Sequence, residues 1–223
     1  MVTLKNKIAI GCLVQWYEIE IVEEYIQSVR NALELVDNNL EHVMLDFVLV
    51  TNQDLEKINN QMTMEEIETK FMSLLPVTAR LNYKITDELY TIADYRRWFN
   101  DYYCDKVDVL MWGETDSLIP RQTFQILDNL HSQVKEQTPK YVSFFSTCKM
   151  WDDSWKVLEH PDFTNKPFYD SPDDFKPNEP WWSLRYTMSV DEMNTFNDKV
   201  EELDIQILNQ HKFNGCGLVI SSD

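Results

Sequence analysis

Short apolar runs alternate along this chain with segments whose hydrophobic residues recur every three or four positions. Residues 7–14, 43–50 and 106–112 have the length and composition of strands buried on both faces, although runs this short also fit buried helix. Residues 19–36 and 120–134 instead repeat their apolar side chains at the spacing of one helix face. The alternation predicts an α/β fold with a mixed, mostly parallel sheet and helices on both faces.

Polar residues mark the starts of several helices. Thr63 is followed by Glu66, and Ser189 by Glu192, in the capping-box pattern that satisfies backbone N–H groups at a helix start. Pro120 is expected in the first turn of the helix that it opens. Acids near the start of the helix in 19–36 suit its macrodipole: Glu18, Glu20, Glu23 and Glu24. Further strands are predicted at 141–145, at 183–188 and at the end of 213–221.

Residues 150–182 differ from the rest of the chain in composition and in hydrophobic pattern. They contain five prolines, eight aromatic residues and eight acids, without helical or alternating periodicity. Such a segment in a compact domain is typically a functional loop or a disordered one, and its aromatic content argues against disorder. Rings and carboxylates together suit a carbohydrate, but large rings also anchor loops that are purely structural. The tryptophans of this segment are Trp151, Trp155, Trp181 and Trp182.

Charge is the most marked feature of the composition, since 38 acids and 20 bases among 223 residues leave a formal net charge of −18. This charge disfavours nucleic acid and acidic membranes as partners, but not a nucleotide bridged through a metal ion. The four cysteines lack metal-ligand spacing and are typical of reduced thiols in a cytoplasmic protein. No signal peptide is recognisable, no apolar run reaches the roughly 18 residues of a membrane span, and no glycine-rich dinucleotide or P-loop motif occurs.

Two carboxylates follow the strand predicted at 106–112. Gly113 interrupts the apolar run, and Glu114 and Asp116 come next. Ligands of open α/β sheets bind at the carboxyl ends of strands, so this strand is expected to deliver both carboxylates to a binding edge. Carboxylate oxygens there suit Mg²⁺ or Mn²⁺, which take few protein ligands and leave positions for substrate phosphates. In a chain this acidic, an acid-x-acid triplet also fits a solvated turn.

The order of apolar strand, Glu114-x-Asp116 and Pro120 resembles the acid-x-acid (DxD) segment of GT-A fold nucleotide-sugar glycosyltransferases, especially family 2. The first acid is more commonly Asp in that family. The resemblance implies a GT-A-like (Rossmann-like) three-layer sandwich and a single domain, 1–223, with a donor half of about 1–120 and an acceptor half of about 121–223. It also implies that Glu114 faces the ribose and that Asp116, with Glu114 as a further candidate, holds Mn²⁺ or Mg²⁺ on the diphosphate.

Other donor-binding residues follow from the same resemblance. In the family, polar residues after the first two strands contact the base, and an arginine before the acid-x-acid strand lines the donor pocket. The matching positions here are Gln15, Tyr17, Asn52 and Arg96. Asn52 fits a helix cap equally well. Arg96 and its neighbour Arg97 also fit ion pairs on a solvent-facing side, with Asp94 and Asp101 as partners.

The activity implied by the resemblance is metal-assisted transfer of a sugar from a nucleoside-diphosphate sugar to the hydroxyl of a carbohydrate or other acceptor. The acceptor would contact the four tryptophans of 150–182, and Asp152 or Asp153 would supply the carboxylate base that an inverting transfer needs. Two alternatives stay open. One is a sugar-activating nucleotidyltransferase, which would normally carry a glycine-rich loop after the first strand. The other is a non-catalytic relative that binds carbohydrate or nucleotide and lacks the base.

Overall fold

The regular elements of this protein largely follow its hydrophobic pattern. The computed structural model describes residues 1–51, 62–88, 90–144, 194–195, 198 and 218–222. The strands are β1 (Ile8–Gln15), β2 (Val43–Val50), β3 (Arg80–Thr86), β4 (Val109–Gly113), β5 (Val142–Phe144) and β6 (Leu218–Ser221). The helices are α1 (Val22–Leu33), α2 (Asn39–His42), α3 (Met64–Leu74), α4 (Ile92–Tyr103) and α5 (Thr123–Val134), and a 3-10 turn (Trp16–Glu18) follows β1.

The strands of the described residues form one sheet in the order β3-β2-β1-β4-β6-β5. The strands β1 to β4 run parallel, whereas β6 pairs antiparallel with β4, and β5 antiparallel with β6. The α/β class and the mixed, mostly parallel sheet are therefore confirmed. Because β1 and β4 are parallel neighbours in the interior of the sheet, their carboxyl ends meet at one edge.

Helices cover both faces of the sheet, which gives the fold three layers. Ile8, Ile10 and Cys12 of β1 face the larger apolar core, together with side chains from α1, α3 and α5. The intervening residues Ala9 and Leu13 face a smaller core that α4 completes. Burial on both faces explains why β1 and β2 are apolar almost throughout. None of the described helices combines the length and apolarity needed to cross a bilayer.

Hydrogen bonds at helix starts confirm one sequence prediction and correct another. In the Thr63 capping box, the Thr63 N–H donates to Glu66 Oε2 at 2.7 Å, and the Glu66 N–H donates to Thr63 Oγ1 at 3.2 Å. The prediction that Pro120 lies in the first turn of a helix is wrong. Its carbonyl accepts from the Thr123 N–H at 3.0 Å in a turn that precedes the helix, so α5 begins at Thr123.

The strand β3 and the helix α2 are not predicted by the hydrophobic pattern. The edge strand β3 is largely exposed, and its polar residues hide the alternation with partly buried Leu81 and Ile85. The four-residue helix α2 is too short to show a repeat. Asn194 and Thr195 are helical, in the helix predicted after Ser189. The strand predicted at 183–188 and the loop 150–182 lie outside the described residues.

Candidate functional site

A cleft of about 380 Å³ opens where β1 and β4 end. The parallel register pairs Cys12 of β1 with Gly113 of β4, so the residues that follow each strand meet at the same edge of the sheet. The cleft is lined by Leu13, Gln15, Tyr17, Glu18, Ile92, Gly113, Glu114, Thr115 and Asp116. The acid-x-acid segment therefore lies at the carboxyl end of β4, as expected, and it lines this cleft.

Glu18 is a third carboxylate in this cleft, beside Glu114 and Asp116. Its Oε2 accepts a hydrogen bond from the Gln15 N–H at 2.8 Å, and buried Thr115 lines the same cleft. Burial raises the pKa of Glu18, and the charges of Asp116 and Glu114 raise it further, against the opposing effect of the hydrogen bond from the Gln15 N–H. The cleft therefore groups three acidic side chains that are partly shielded from water.

Glu114 is held by an arginine from α4. Arg96 Nη2 lies 2.5 Å from Glu114 Oε1, and the two side chains are only 18% and 24% exposed. The guanidinium carbon of Arg96 lies 4.6 Å from the centroid of the Trp112 ring, in cation–π contact. Trp112 is fixed in turn, because its Nε1 donates to Asn100 Oδ1 at 2.9 Å. The orientation of Glu114 is thus set by a neighbour that is itself packed in place.

The acid-x-acid segment forms a tight turn after β4. The Ser117 N–H donates to the Glu114 carbonyl at 3.1 Å, which closes the turn. Thr115 is buried at 4% exposure, whereas Asp116 is half-buried. The Ile119 N–H donates to Ser28 Oγ at 3.1 Å and ties the end of the segment to α1. The turn therefore anchors its middle residue and leaves the two acids on the wall of the cleft.

Exposed apolar side chains border the same cleft. Tyr17 is 56% exposed and Ile92, at the start of α4, is 43% exposed. The rings of Tyr17 and Trp16 contact each other edge to face, with 5.7 Å between their centroids. This contact leaves one face of the Tyr17 ring uncovered by Trp16. An exposed aromatic ring beside carboxylates suits a ligand with a planar base and a charged part.

The floor of the cleft supplies shape rather than reactive groups. A Cβ atom on Gly113 would lie 1.9 Å from Tyr25 Oη, so α1 packs where a side chain would otherwise stand. The Tyr25 hydroxyl is fully buried and has no hydrogen-bond partner among the described residues. Burial raises the pKa of Cys12 well above its usual value, which keeps this thiol neutral and unreactive.

The carboxylates of the cleft fit a cation that needs few protein ligands. Within the described ranges, no three or more His, Cys, Asp or Glu side chains are arranged to hold a metal by themselves. Mg²⁺ at nucleotide sites takes one or two carboxylates and completes its shell with phosphate oxygens and water. The repulsion that raises the pKa of Glu18 is also what a bound cation would relieve. The residues present therefore suit a nucleotide-bound metal, not a structural metal centre.

The structure brings together some of the site residues expected from the sequence. Those in the cleft are Gln15, Tyr17, Glu114 and Asp116, and Arg96 reaches it through Glu114. Arg97 is exposed and pairs with Asp94 at 3.5 Å, so the solvent-facing ion pair holds for Arg97, whereas Arg96 pairs with Glu114 instead. Several candidates lie outside the described residues: Asn52, Asp152, Asp153, Trp151, Trp155, Trp181 and Trp182.

Glu18 is the cleft residue that sequence reasoning misplaced. The sequence predicts that Glu18 lies near the start of a helix with the acids that suit its dipole, but α1 begins only at Val22, and Glu18 lies in the preceding 3-10 turn. Its proximity to Gln15 and Tyr17, in the stretch that directly follows a buried strand, was the signal available. A position at the carboxyl end of a strand in a parallel sheet indicates a binding-site residue better than a position within a run of acids does.

Comparisons with known proteins find no family and only weak structural similarity. The sequence matches no protein-family model, and a search of curated proteins likewise finds no match. Among solved structures, TarS from Staphylococcus aureus is similar with a TM-score of 0.36 and 13% identity, over 61% of this chain and 34% of that one. Core-mannan synthase A from Aspergillus fumigatus, in its Mn/GDP form, has a TM-score of 0.33 and 12% identity, over 66% of this chain and 43% of that one.

A third similar structure is 4-diphosphocytidyl-2C-methyl-D-erythritol synthase from Anaerococcus prevotii. Its TM-score is 0.34 at 12% identity, and the match covers 88% of this chain and 86% of that one. The chain thus spans less than half the length of the first two proteins and most of the third. At TM-scores this low the likeness carries no information about chemistry, which depends on the residues of the cleft.

Proposed function

We propose that this protein transfers a sugar from a nucleoside-diphosphate sugar to an acceptor hydroxyl, with Mg²⁺ or Mn²⁺ on the diphosphate. The observation that carries the proposal is the grouping of Glu114 and Asp116 with the exposed ring of Tyr17 in one cleft at the ends of β1 and β4. Two carboxylates suit a metal-bridged diphosphate, and an exposed ring suits a base. A single GT-A-like domain over 1–223, of family 2 type, is part of the same proposal.

Each side chain in the cleft has a role in this proposal. Asp116 holds the metal, for which Glu114 is the second candidate ligand. Glu114 also accepts from the ribose hydroxyls, and Gln15 and Tyr17 contact the base. The metal, when bound, neutralises charge that develops on the leaving diphosphate. The protein's own part is to orient the donor and to keep its charged end against the carboxyl ends of the strands.

The pairing of Arg96 with Glu114 changes the role proposed for this arginine. A guanidinium free to bind a diphosphate would point into the cleft, but that of Arg96 is packed on Trp112 and bonded to Glu114. We therefore propose Arg96 as the residue that orients Glu114 toward the donor. Its planar fork suits the double task of carboxylate pairing and ring stacking, which lysine performs less well.

The acceptor side of the proposal is argued from the sequence. Residues 121–223 form the acceptor half, and Asp152 or Asp153 is the proposed base. The tryptophans of the segment 150–182 are proposed to contact a carbohydrate acceptor, because rings stack on the C–H faces of sugars. The two aspartates and the four tryptophans lie outside the described ranges.

The substitution Asp116→Asn tests the donor site. It replaces a charged ligand by an isosteric amide and is expected to weaken Mn²⁺-dependent binding of the matching nucleoside diphosphate by about 100-fold or more. Calorimetric titration of UDP, GDP and CDP, with and without Mn²⁺, measures this effect. Asp105→Asn is the matched control, because this exposed acid lies before β4, at the opposite end of that strand. The control should bind as the wild type does.

The same preparation separates the alternatives. Hydrolysis of a nucleoside-diphosphate sugar with Mn²⁺ supports the proposal, and release of pyrophosphate from a nucleoside triphosphate plus a sugar phosphate supports a nucleotidyltransferase. Binding without turnover of either indicates a non-catalytic relative. Unchanged metal dependence in Asp116→Asn would remove the acid-x-acid segment from the metal site and with it the basis of the proposal.

A further inference from the structure

We propose that Asp198 is a positioning residue, which clamps the segment between the acid-x-acid turn and α5 and so holds Asp116 in place. The inference rests on the proposed donor site, because Asp116 is the metal ligand of that proposal. Asp198 belongs to the C-terminal part of the chain, shortly after the helical residues Asn194 and Thr195. This part of the chain would thereby help to set the geometry of the donor site.

The Asp198 carboxylate accepts hydrogen bonds from two neighbouring side chains. Its Oδ1 accepts from Arg121 Nε at 3.1 Å and from Gln122 Nε2 at 2.9 Å. Its Oδ2 accepts from Arg121 Nη2, so the guanidinium and the carboxylate are joined by two contacts. The two charged side chains are 39% and 42% exposed, and an exposed pair adds little to stability by itself. Its two-contact geometry nevertheless fixes how the two side chains are oriented.

Asn194 fixes the main chain of the same segment. Its Oδ1 accepts from the Arg121 N–H at 3.2 Å, and Asn194 is itself buried. The Asp198 N–H donates to the Asn194 carbonyl at 2.9 Å, so the two residues begin and end one helical turn. Residues four apart in a helical turn lie on the same face. One helical turn therefore holds both the main chain and the side chain of Arg121.

Asp116 lies between two supported points of the chain. Before it, Glu114 is held by Arg96 of α4. After it, residues 117–122 connect to α5 without forming a helix or strand, and the clamp holds their C-terminal end at Arg121. Release of that end is expected to widen the range of positions that Asp116 samples, while the Arg96 contact keeps Glu114 in place.

The experiment compares Asp198→Ala and Asp198→Asn with the control Glu136→Ala, whose exposed acid follows the opposite end of α5. Asparagine can still accept from Arg121 Nε and Gln122 Nε2 through its remaining oxygen, but it cannot form the second contact with the guanidinium. Amide hydrogen–deuterium exchange at 116–122 is followed in the protein without ligand. Calorimetric titration measures binding of the nucleoside diphosphate that the wild type prefers, with and without Mn²⁺. Thermal unfolding verifies that each variant is folded.

Asp198→Ala is expected to speed exchange at 116–122 and to weaken Mn²⁺-dependent binding about tenfold, the lower end of the effect of losing a group that orients a metal ligand. Asp198→Asn should show a smaller effect of the same kind, and Glu136→Ala should match the wild type within about twofold. Binding without Mn²⁺ should stay unchanged, because Asp116 acts through the metal. General damage to the site would instead weaken binding with and without Mn²⁺ alike, and would contradict a positioning role.

The double variant Asp116→Asn/Asp198→Ala tests whether Asp198 acts through Asp116. If it does, adding Asp198→Ala should weaken Mn²⁺-dependent binding by less than about twofold once Asp116 has been replaced. Additive losses in the double variant, or wild-type exchange at 116–122 in Asp198→Ala, would overturn the inference. Faster exchange in Asp198→Ala, in a protein that binds no nucleotide, would keep the clamp and refute the proposed function.

Discussion

Two neighbouring arginines show how a single step along a helix separates two roles. The side chain of Arg96 is 18% exposed and pairs with Glu114, whereas that of Arg97 is 70% exposed and pairs with Asp94. Consecutive helical residues point about 100° apart, so one faces the sheet edge and the other faces solvent. Breaking a sheltered pair leaves a charge poorly hydrated, while water replaces the partner in an exposed pair.

The two arginines provide a matched pair of substitutions. Arg96→Gln is expected to lower the free energy of unfolding by about 2 kcal/mol, because it leaves Glu114 in a partly buried place without its cationic partner. Arg97→Gln is expected to change it by less than about 0.5 kcal/mol. Urea unfolding of both variants measures the difference. Small and equal effects would show that the Arg96–Glu114 pair is no stronger than a surface pair.

At the scale of elements, two glycines set how closely helices approach the sheet. A Cβ on Gly113 of β4 would lie 1.9 Å from Tyr25 Oη of α1. On the other face, a Cβ on Gly11 of β1 would lie 2.6 Å from ring carbons of Phe99 in α4. Both side chains are fully buried, so neither can turn away into solvent. The helices on both faces therefore pack at distances that only glycine permits.

Gly113→Ala is expected to lower the free energy of unfolding by about 1–3 kcal/mol through overpacking against Tyr25. Tyr25→Phe alone should cost little, because the hydroxyl that it removes has no partner among the described residues. The double variant should recover part of the loss, since the next atom, Tyr25 Cζ, would still lie 2.8 Å from the new methyl group. A double-mutant cycle measures the coupling, and strictly additive effects would contradict this explanation.

A buried carboxylate joins α4 to the sheet. Asp46 of β2 is 0% exposed. It accepts hydrogen bonds from Asn82 Nδ2 at 2.6 Å, Tyr95 Oη at 2.9 Å and Tyr103 Oη at 3.1 Å. All three donors are neutral, so they satisfy the carboxylate without cancelling its charge. Burial consequently raises the pKa of Asp46 despite the three bonds, which act to lower it.

For the whole molecule, buried acids and net charge act on stability in the same direction. Burial raises the pKa of Asp46 and of Glu18, so the folded protein binds protons at pH values where the unfolded chain has released them. The stability that this contributes is complete below the usual carboxyl pKa of about 4 and is lost as pH rises through the raised values. Deprotonation also moves the chain toward its full formal charge of −18, which adds self-repulsion.

The free energy of unfolding is therefore expected to fall as pH rises above the usual carboxyl pKa of about 4 and through the raised values. The exposed acids with lowered pKa, Glu66 and Asp94, titrate below this window and do not reverse the trend. In Asp46→Asn the fall should be shallower, because one of the two buried titrating groups is gone. Urea unfolding at constant ionic strength measures both slopes. Parallel slopes for variant and wild type would assign Asp46 an ordinary pKa.

The elements whose burial is unambiguous can be located from the amino-acid letters alone. The strand predicted at 43–50 coincides with β2, and the strands predicted at 7–14 and 106–112 match β1 and β4 with small shifts at their ends. A strand that is buried on both faces requires a continuous apolar run, and such a run can be recognised in the sequence. The Thr63 capping box can be recognised in the same way, because the two residues that form it, Thr63 and Glu66, are always three positions apart in this motif.

The limits of the sequence appear where an element's environment, not its own letters, decides its structure. The edge strand β3 carries polar side chains because one of its sides borders solvent, so no apolar run marks it. Pro120 could begin a helix, but its carbonyl takes part in a turn closed by Thr123 instead. Neither outcome follows from local propensity, which sets preferences of only about 1 kcal/mol.

The cleft was determined in part by the sequence and in part by the tertiary structure alone. A strand end with Glu114 and Asp116 could be located from the chain, because polar residues that follow a buried run must emerge at a sheet edge. The pairing of β1 with β4 brought Glu18 and Thr115 into one cleft, and the packing of α4 brought Arg96 to Glu114. The residues of these two pairs lie 97 and 18 positions apart in the chain. Their partners are selected by strand order and helix placement, which no local spacing encodes.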